Sequence, residues 1–230
     1  MKRELLGAEN PAVATSLNNL AALLGAKGDY AGAELLYREA LTMRRKLLGG
    51  EHSDVVASLN NLGVLLEQKG DYAGAEPLYR EALAKWSKLL GRDHPNVATT
   101  LNNLAALRRD QGDYAGAEPL YREALAISRK RLGEEHPSGA RILNNLGYLL
   151  QAQGDYAAAE PLYREALAIW RKTLGEEHPF VAGCLKNLGC QSRARGDLAR
   201  AESLLVQASI VYEAARLRID PGVERSAFQS

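Results

Sequence analysis

Four histidines, His52, His94, His136 and His178, are the chain's full complement of imidazoles. Imidazole is the commonest metal ligand and a frequent general base, so these positions are the first place to look for chemistry. They are spaced 42 residues apart, however, and residues one such step apart cannot converge on a small metal ion, which needs clustered ligands. Cys184 and Cys190 lie six apart in one expected helix. That is neither a CxxC pair nor a disulfide framework; it fits small fillers of a core or groove in a reducing compartment. No Ser/His/Asp set is suggested by spacing, and no glycine-rich phosphate loop follows a strand. No enzyme, no metal and no cofactor is therefore expected. What remains are amides: Asn18-Asn19, Asn60-Asn61, Asn102-Asn103 and Asn144-Asn145. An asparagine amide presents both donors and an acceptor, and a ladder of them can pair with the main chain of an extended peptide whatever its side chains.

Each pair is embedded in the same motif. Leu17-Asn18-Asn19-Leu20 returns at Leu59, Leu101 and Leu143 with a constant step of 42 residues, and an eroded copy reads Leu185-Lys186-Asn187-Leu188. Self-similarity at such a period marks a stacked repeat array, in which no unit buries its apolar face alone. The 230 residues thus read as one elongated domain of five repeats, at about 11–52, 53–94, 95–136, 137–178 and 179–219, followed by a frayed tail at 220–230. In the third repeat, His94-Pro95 opens a helix whose apolar face carries Val97, Leu101, Leu104 and Ala105. Gln111-Gly112-Asp113-Tyr114 ends it and starts another, with Gly112 suited to a left-handed C′ position and Asp113 to an N-cap. Tyr114, Ala117, Tyr121, Ala124 and Leu125 form the stripe of the second helix. Pro77, Pro119 and Pro161 fall inside that helix, where proline removes a backbone hydrogen bond, and predict a mild bend that shapes the stack. Trp86 and Trp170, seven residues after Tyr79 and Tyr163, read as packing residues. The fold class is all-α.

The order Leu104-Ala105, Gly112-Asp113-Tyr114, Ala117, Tyr121, Ala124 resembles the tetratricopeptide repeat. The usual unit has about 34 residues, so these are about eight longer. With Leu-Asn-Asn-Leu-Ala, Gln-Gly-Asp-Tyr, Ala-Glu-Pro-Leu-Tyr, Arg-Glu-Ala-Leu and Leu-Gly-x-x-His-Pro, the sequence resembles the kinesin light chain type from about Glu4 to Leu217. The resemblance implies a right-handed superhelical α-solenoid of five helix-turn-helix repeats whose first helices line a concave, peptide-binding groove. By that pattern the inward positions include Asn18, Asn60, Asn61, Asn102, Asn103, Arg109, Arg141, Asn144, Asn145, Tyr148, Lys186 and Arg193. Two readings of the asparagines stay open: recognition of a peptide backbone, or ties between adjacent helices. Arg109, Arg141, Lys186 and Arg193 would make the C-terminal half of the groove positive and suited to carboxylates, unless these cations are solvated or pair with Asp110 and Glu67. Tyr148 is an aromatic anchor candidate. The partner expected is a protein or an extended acidic peptide, in keeping with the acidic, tryptophan-containing cargo peptides of kinesin light chains.

A net charge of +1, with both signs spread through every repeat, argues against nucleic acid, which calls for a basic stripe. No stretch approaches the roughly 20 apolar residues of a membrane span, and the start carries no signal-peptide core; a soluble, cytoplasmic protein is expected. Arg108 occupies a position held by Leu24, Leu66 and Leu150 elsewhere, so its stem is expected to cover apolar surface while the guanidinium reaches water. Residues 3–7 match the end of a second helix, and Leu204, Leu205, Val206, Ile210 and Val211 make a last helix with no successor. Terminal repeats normally present a polar outer face. Either the chain is a segment of a longer protein, or its uncovered ends pair between chains as a self-assembling scaffold.

Overall fold

The computed structural model describes residues 10–219; the expected tail at 220–230 and the half-repeat at residues 3–7 lie outside them. Ten helices and no strand occur among the described residues. They are α1 (Pro11–Ala26), α2 (Tyr30–Leu48), α3 (Ser53–Gln68), α4 (Tyr72–Leu90), α5 (Pro95–Asp110), α6 (Tyr114–Leu132), α7 (Pro137–Ala152), α8 (Tyr156–Leu174), α9 (Pro179–Ala194) and α10 (Leu198–Ile219). The architecture is an all-α helical repeat solenoid. Helices α4, α6 and α8 run on through Pro77, Pro119 and Pro161.

The helix boundaries have local causes. The four histidines are N-caps: each Nδ1 accepts the amide two residues on, at 3.2 Å from Asp54, 3.1 Å from Asn96, 3.1 Å from Ser138 and 3.1 Å from Phe180. Asn10 does the same for α1, accepting from Ala12 at 2.8 Å. These side chains satisfy one of the orphan donors of a helix start. Between the helices of a hairpin the backbone reverses at a left-handed glycine such as Gly70 (φ +83°), and the following aspartate, here Asp71, accepts the amide of Gly74 at 2.9 Å.

The chain divides into two compact units, Met1–Leu120 and Tyr121–Ser230. In the first, α1 pairs with α2 and α3 with α4, while α2 packs on α3 and α4 on α5. In the second, α7 pairs with α8 and α9 with α10, joined by packing of α8 on α9. Tyr79 in the first unit and Tyr163 in the second are fully buried beneath a glycine of the partner helix. A Cβ on Gly63 would stand 2.6 Å from Tyr79 Cε1, and one on Gly147 3.0 Å from Tyr163 Cε1. Glycine is required there by close approach, not by backbone angle.

One buried position changes character from repeat to repeat. Arg44, Trp86, Ser128 and Trp170 stand one repeat apart, and all four are buried. Arg44 donates from Nη1 to Ser58 Oγ (2.7 Å) and the Asp54 carbonyl (3.1 Å), and from Nη2 to Thr15 Oγ1 (3.2 Å). Trp170 meets Phe180 with ring centroids 5.2 Å apart and planes tilted by 38°. Ser128 has a buried hydroxyl with no hydrogen-bond partner and faces Gly139 across a gap that would admit a methyl group, 3.6 Å from its Oγ. Ion pairs link successive hairpins on the surface: Glu34 with Lys69 (2.9 Å), Arg45 with Glu81 (3.0 Å), and Glu160 with Arg195 and Arg200 (2.8 Å each).

Two substitutions probe these causes. Replacing His94 with Ala removes the α5 cap and should cost about 1 kcal/mol in urea unfolding, whereas His94→Asn should be near neutral. Gly63→Ala should lower stability by about 1–3 kcal/mol, because Tyr79 has to shift within a filled core. An unchanged urea midpoint for Gly63→Ala would remove the close-approach explanation.

Candidate peptide-binding surface

The first helix of each hairpin carries the asparagines, and the structure commits several of them to neighbouring helices. In the first unit, Asn61 on α3 donates from Nδ2 to Asn18 Oδ1 on α1 (3.1 Å), and Asn60 donates to Thr100 Oγ1 on α5 (2.9 Å). Asn102 is buried and donates to Asn103 Oδ1 at 3.3 Å. In the second unit, Asn187 on α9 donates to Asn144 Oδ1 on α7 (3.0 Å), and Asn145 is half-buried. Of the two readings left open by sequence, ties between first helices are thus present in both units. Asn60 Oδ1 is buried with no hydrogen-bond partner.

Below this row, α4 and α8 each send up a tyrosine, whereas α10 carries Leu205 at the equivalent position. Tyr79 donates its hydroxyl to Glu67 Oε2 (2.7 Å), and Tyr163 donates to Gln151 Oε1 (3.2 Å), one acceptor charged and the other neutral at equivalent positions. Burial raises the Glu67 carboxyl above its usual range, with Asp110 adding to the effect, while the Tyr79 hydrogen bond and Arg109 oppose it. Burial also raises the Tyr79 phenol, assisted by Glu67.

The cations divide sharply. Arg109 is spent on its neighbour Asp110, with Nε and Nη2 each 2.7 Å from Oδ1. Arg108 remains partly exposed and places Nη1 2.6 Å from Asp113 Oδ2 and Nη2 3.6 Å from Glu76. The turn that begins the next helix brings Asp113 within reach of its guanidinium. In the second unit, Arg141, Lys186 and Arg193 make no ion pair among the described residues. Arg141 is half-buried, and loss of solvation pushes its guanidinium down from the ordinary value. Tyr148, on the same helix, is 46% exposed. Neither α7 nor α9 contains an aspartate or glutamate. These two helices therefore carry three cations, amide groups and an aromatic ring with no carboxylate of their own, while Glu202 of α10 lines the same cleft as Arg193.

Cys184 is buried, donates to the Tyr163 carbonyl at 3.1 Å, and has its thiol pushed up to about 12 by burial. Such a thiol is inert as a nucleophile. Among the described residues no group of three His, Cys, Asp or Glu side chains is placed to hold a metal ion, and no helix is long and apolar enough to cross a membrane.

The tetratricopeptide repeat profile matches residues 1–46, 12–85, 54–130, 98–169 and 138–214, which together span most of the chain. The chain belongs to the tetratricopeptide repeat family. Solved structures place it nearer the kinesin light chain type. BtubC (BKLC) from P. vanneervenii superposes with a TM-score of 0.74 at 29% identity, covering 90% of this chain and 82% of that one. The nearly identical TPR-like repeats of a putative kinesin light chain from Podosopora anserina give 0.68 at 28% identity, covering 88% and 96%. No curated protein matches the chain. Tetratricopeptide repeats are in general protein–protein interaction modules.

In this tetratricopeptide repeat protein, Glu67 yields a pH prediction. Its carboxyl is raised in the folded state, so the folded protein binds more protons and stability falls as pH rises from the unfolded towards the folded value. Glu67→Gln, which copies Gln151, should raise the melting temperature more at pH 8 than at pH 4. Equal shifts at both values would show that Glu67 is not penalised by burial.

Proposed function

We propose that the chain is a non-catalytic protein-interaction module whose α7 and α9 face holds an extended acidic peptide. The observation that carries this reading is Arg141, a half-buried guanidinium with no ion-pair partner among the described residues, on a helix without a carboxylate. A desolvated charge without a counter-ion is costly, and a ligand carboxylate removes that cost while forming bidentate hydrogen bonds. Lys186 and Arg193 extend the positive track along α9. Tyr148 supplies a ring beside it, and Asn144 and Asn145 supply amides for a peptide backbone. In the first unit, Asn18, Asn60, Asn61 and Asn103 stand at equivalent positions, but Asn102 is buried and Arg109 already holds Asp110. Two free thiols and the kinesin light chain likeness fit a reducing, cytoplasmic setting.

A second reading, self-association through the terminal repeats, is favoured by the exposure of Leu20 and Leu23 at one end and Tyr212 at the other.

The peptide reading is tested by fluorescence anisotropy with labelled acidic peptides and their amidated, uncharged counterparts. Acidic peptides should bind better, and added salt should weaken them. Arg141→Met should reduce affinity about tenfold, near 1.4 kcal/mol, while Arg109→Met should change it little. Equal binding of charged and uncharged peptides would sink the proposal.

A further inference from the structure

Within each unit, the junctions of α2 with α3, α4 with α5 and α8 with α9 are made from the same two half-surfaces. One is the side of a first helix that turns to the preceding hairpin, where Leu62 and Leu65 of α3 are 1% and 2% exposed. Leu65 reaches back far enough that a Cβ on Gly25 of α1 would stand 3.2 Å from its Cδ1. The other half-surface belongs to the preceding second helix, where Arg44, Trp86, Ser128 and Trp170 are all buried.

Among the described residues, each half-surface also occurs once without its complement. On α1, Leu20 and Leu23 hold the positions of Leu62 and Leu65 one repeat earlier, and they are 47% and 62% exposed. On α10, Tyr212 holds the position of Trp170 one repeat later and is 60% exposed. It borders an apolar cleft lined by Pro179, Ala182, Leu205, Ala208 and Lys186. The charges match as well. Internal junctions pair Glu34 with Lys69 and Glu160 with Arg195. The corresponding residues at the ends are Glu202 on α10 and Lys27 after α1, neither of which has an ion-pair partner among the described residues.

We propose that this chain associates head to tail, the α1 face of one copy stacking on the α9–α10 face of another through the junction that joins its own repeats. The proposal rests on the self-association reading and names its contacts. Leu20 and Leu23 of one copy cover the cleft beside Tyr212 of the next, and Lys27 meets Glu202. The contact is heterologous, because the two faces differ. One pair is mismatched: the counterpart of the Arg45–Glu81 bridge sets Glu213 of one copy near Glu39 of the other. Arg216 already neutralises Glu213 at 2.9 Å, so the mismatch weakens the junction without blocking it.

Sedimentation velocity and light scattering of the full chain, across a wide range of concentration, test this directly. Mass should rise with concentration. Leu23→Glu and Tyr212→Glu, both at exposed positions, should each weaken association at least about tenfold. Mixing the two variants should restore a one-to-one dimer, because each keeps the half-surface the other has lost. Glu39→Arg should strengthen association. A full chain that stays monomeric at every concentration overturns both the self-association reading and this junction. Association that survives either single variant, or a mixture that stays monomeric, leaves the broader reading intact and overturns the junction. Association that appears only when residues 220–230 are removed overturns it too, and assigns the α9–α10 face to the chain's own C-terminal residues.

Discussion

A 16-residue helix such as α3 has two apolar sides and a single hairpin partner. Gly63 lies against Tyr79 of its own hairpin, while Leu65 reaches back to Gly25 of the one before. Burying only the first side would leave the second in water at a cost of roughly 1.5–3 kcal/mol for each large aliphatic side chain. Stacking is therefore the condition on which each hairpin depends, and the constant step follows from it. An insertion in one loop is tolerable, but an insertion within a helix would turn Leu62 and Leu65 away from their neighbours. The buried tyrosines, the capped helix starts and the ion pairs between hairpins all serve to hold this register.

The surface chemistry is laid over that register without disturbing it. The motif residues keep nearly the same identity in every repeat, whereas the last turn of the first helix varies: Gly25, Glu67, Arg109, Gln151 and Arg193 all occupy one place. Near-neutral total charge conceals this. In the first unit Asp110 absorbs Arg109, while in the second the first helices are free of acid and keep their cations available. The same frame thus carries a paired arginine in one unit and, among the described residues, cations without ion-pair partners in the other, as expected where fold and surface chemistry are separable.

Much of the frame was legible in the residues. The 42-residue step, the opening of α5 at Pro95 and the Gly112-Asp113 turn follow from periodicity and capping chemistry alone. The role of the histidines was not, because imidazole is an unusual N-cap and equal spacing draws attention to metal ligation first. The pairing of Arg108 with Asp113 was not legible, because the aspartate lies beyond a turn and helical spacing does not bring the two together. Asparagine offers no local signal that separates a tie to a neighbouring helix from a free amide, and only the distances from Asn61 to Asn18 and from Asn187 to Asn144 distinguish them. Arg44 carried no warning of burial either, since arginine near a helix C-terminus ordinarily points to solvent.

The series Arg44, Trp86, Ser128, Trp170 has a mechanical meaning. Repeat arrays respond to load as a sum of nearest-neighbour joints, and these joints are unequal. Arg44 clamps its joint with three hydrogen bonds, and Trp170 meets Phe180 in its own. Ser128 opposite Gly139 brings neither, and the missing side-chain atoms forfeit dispersion contacts on both sides. Ser128 therefore contributes less to its joint than Arg44 and Trp170 contribute to theirs, and filling the space beside Gly139 is the change through which that joint would be tightened.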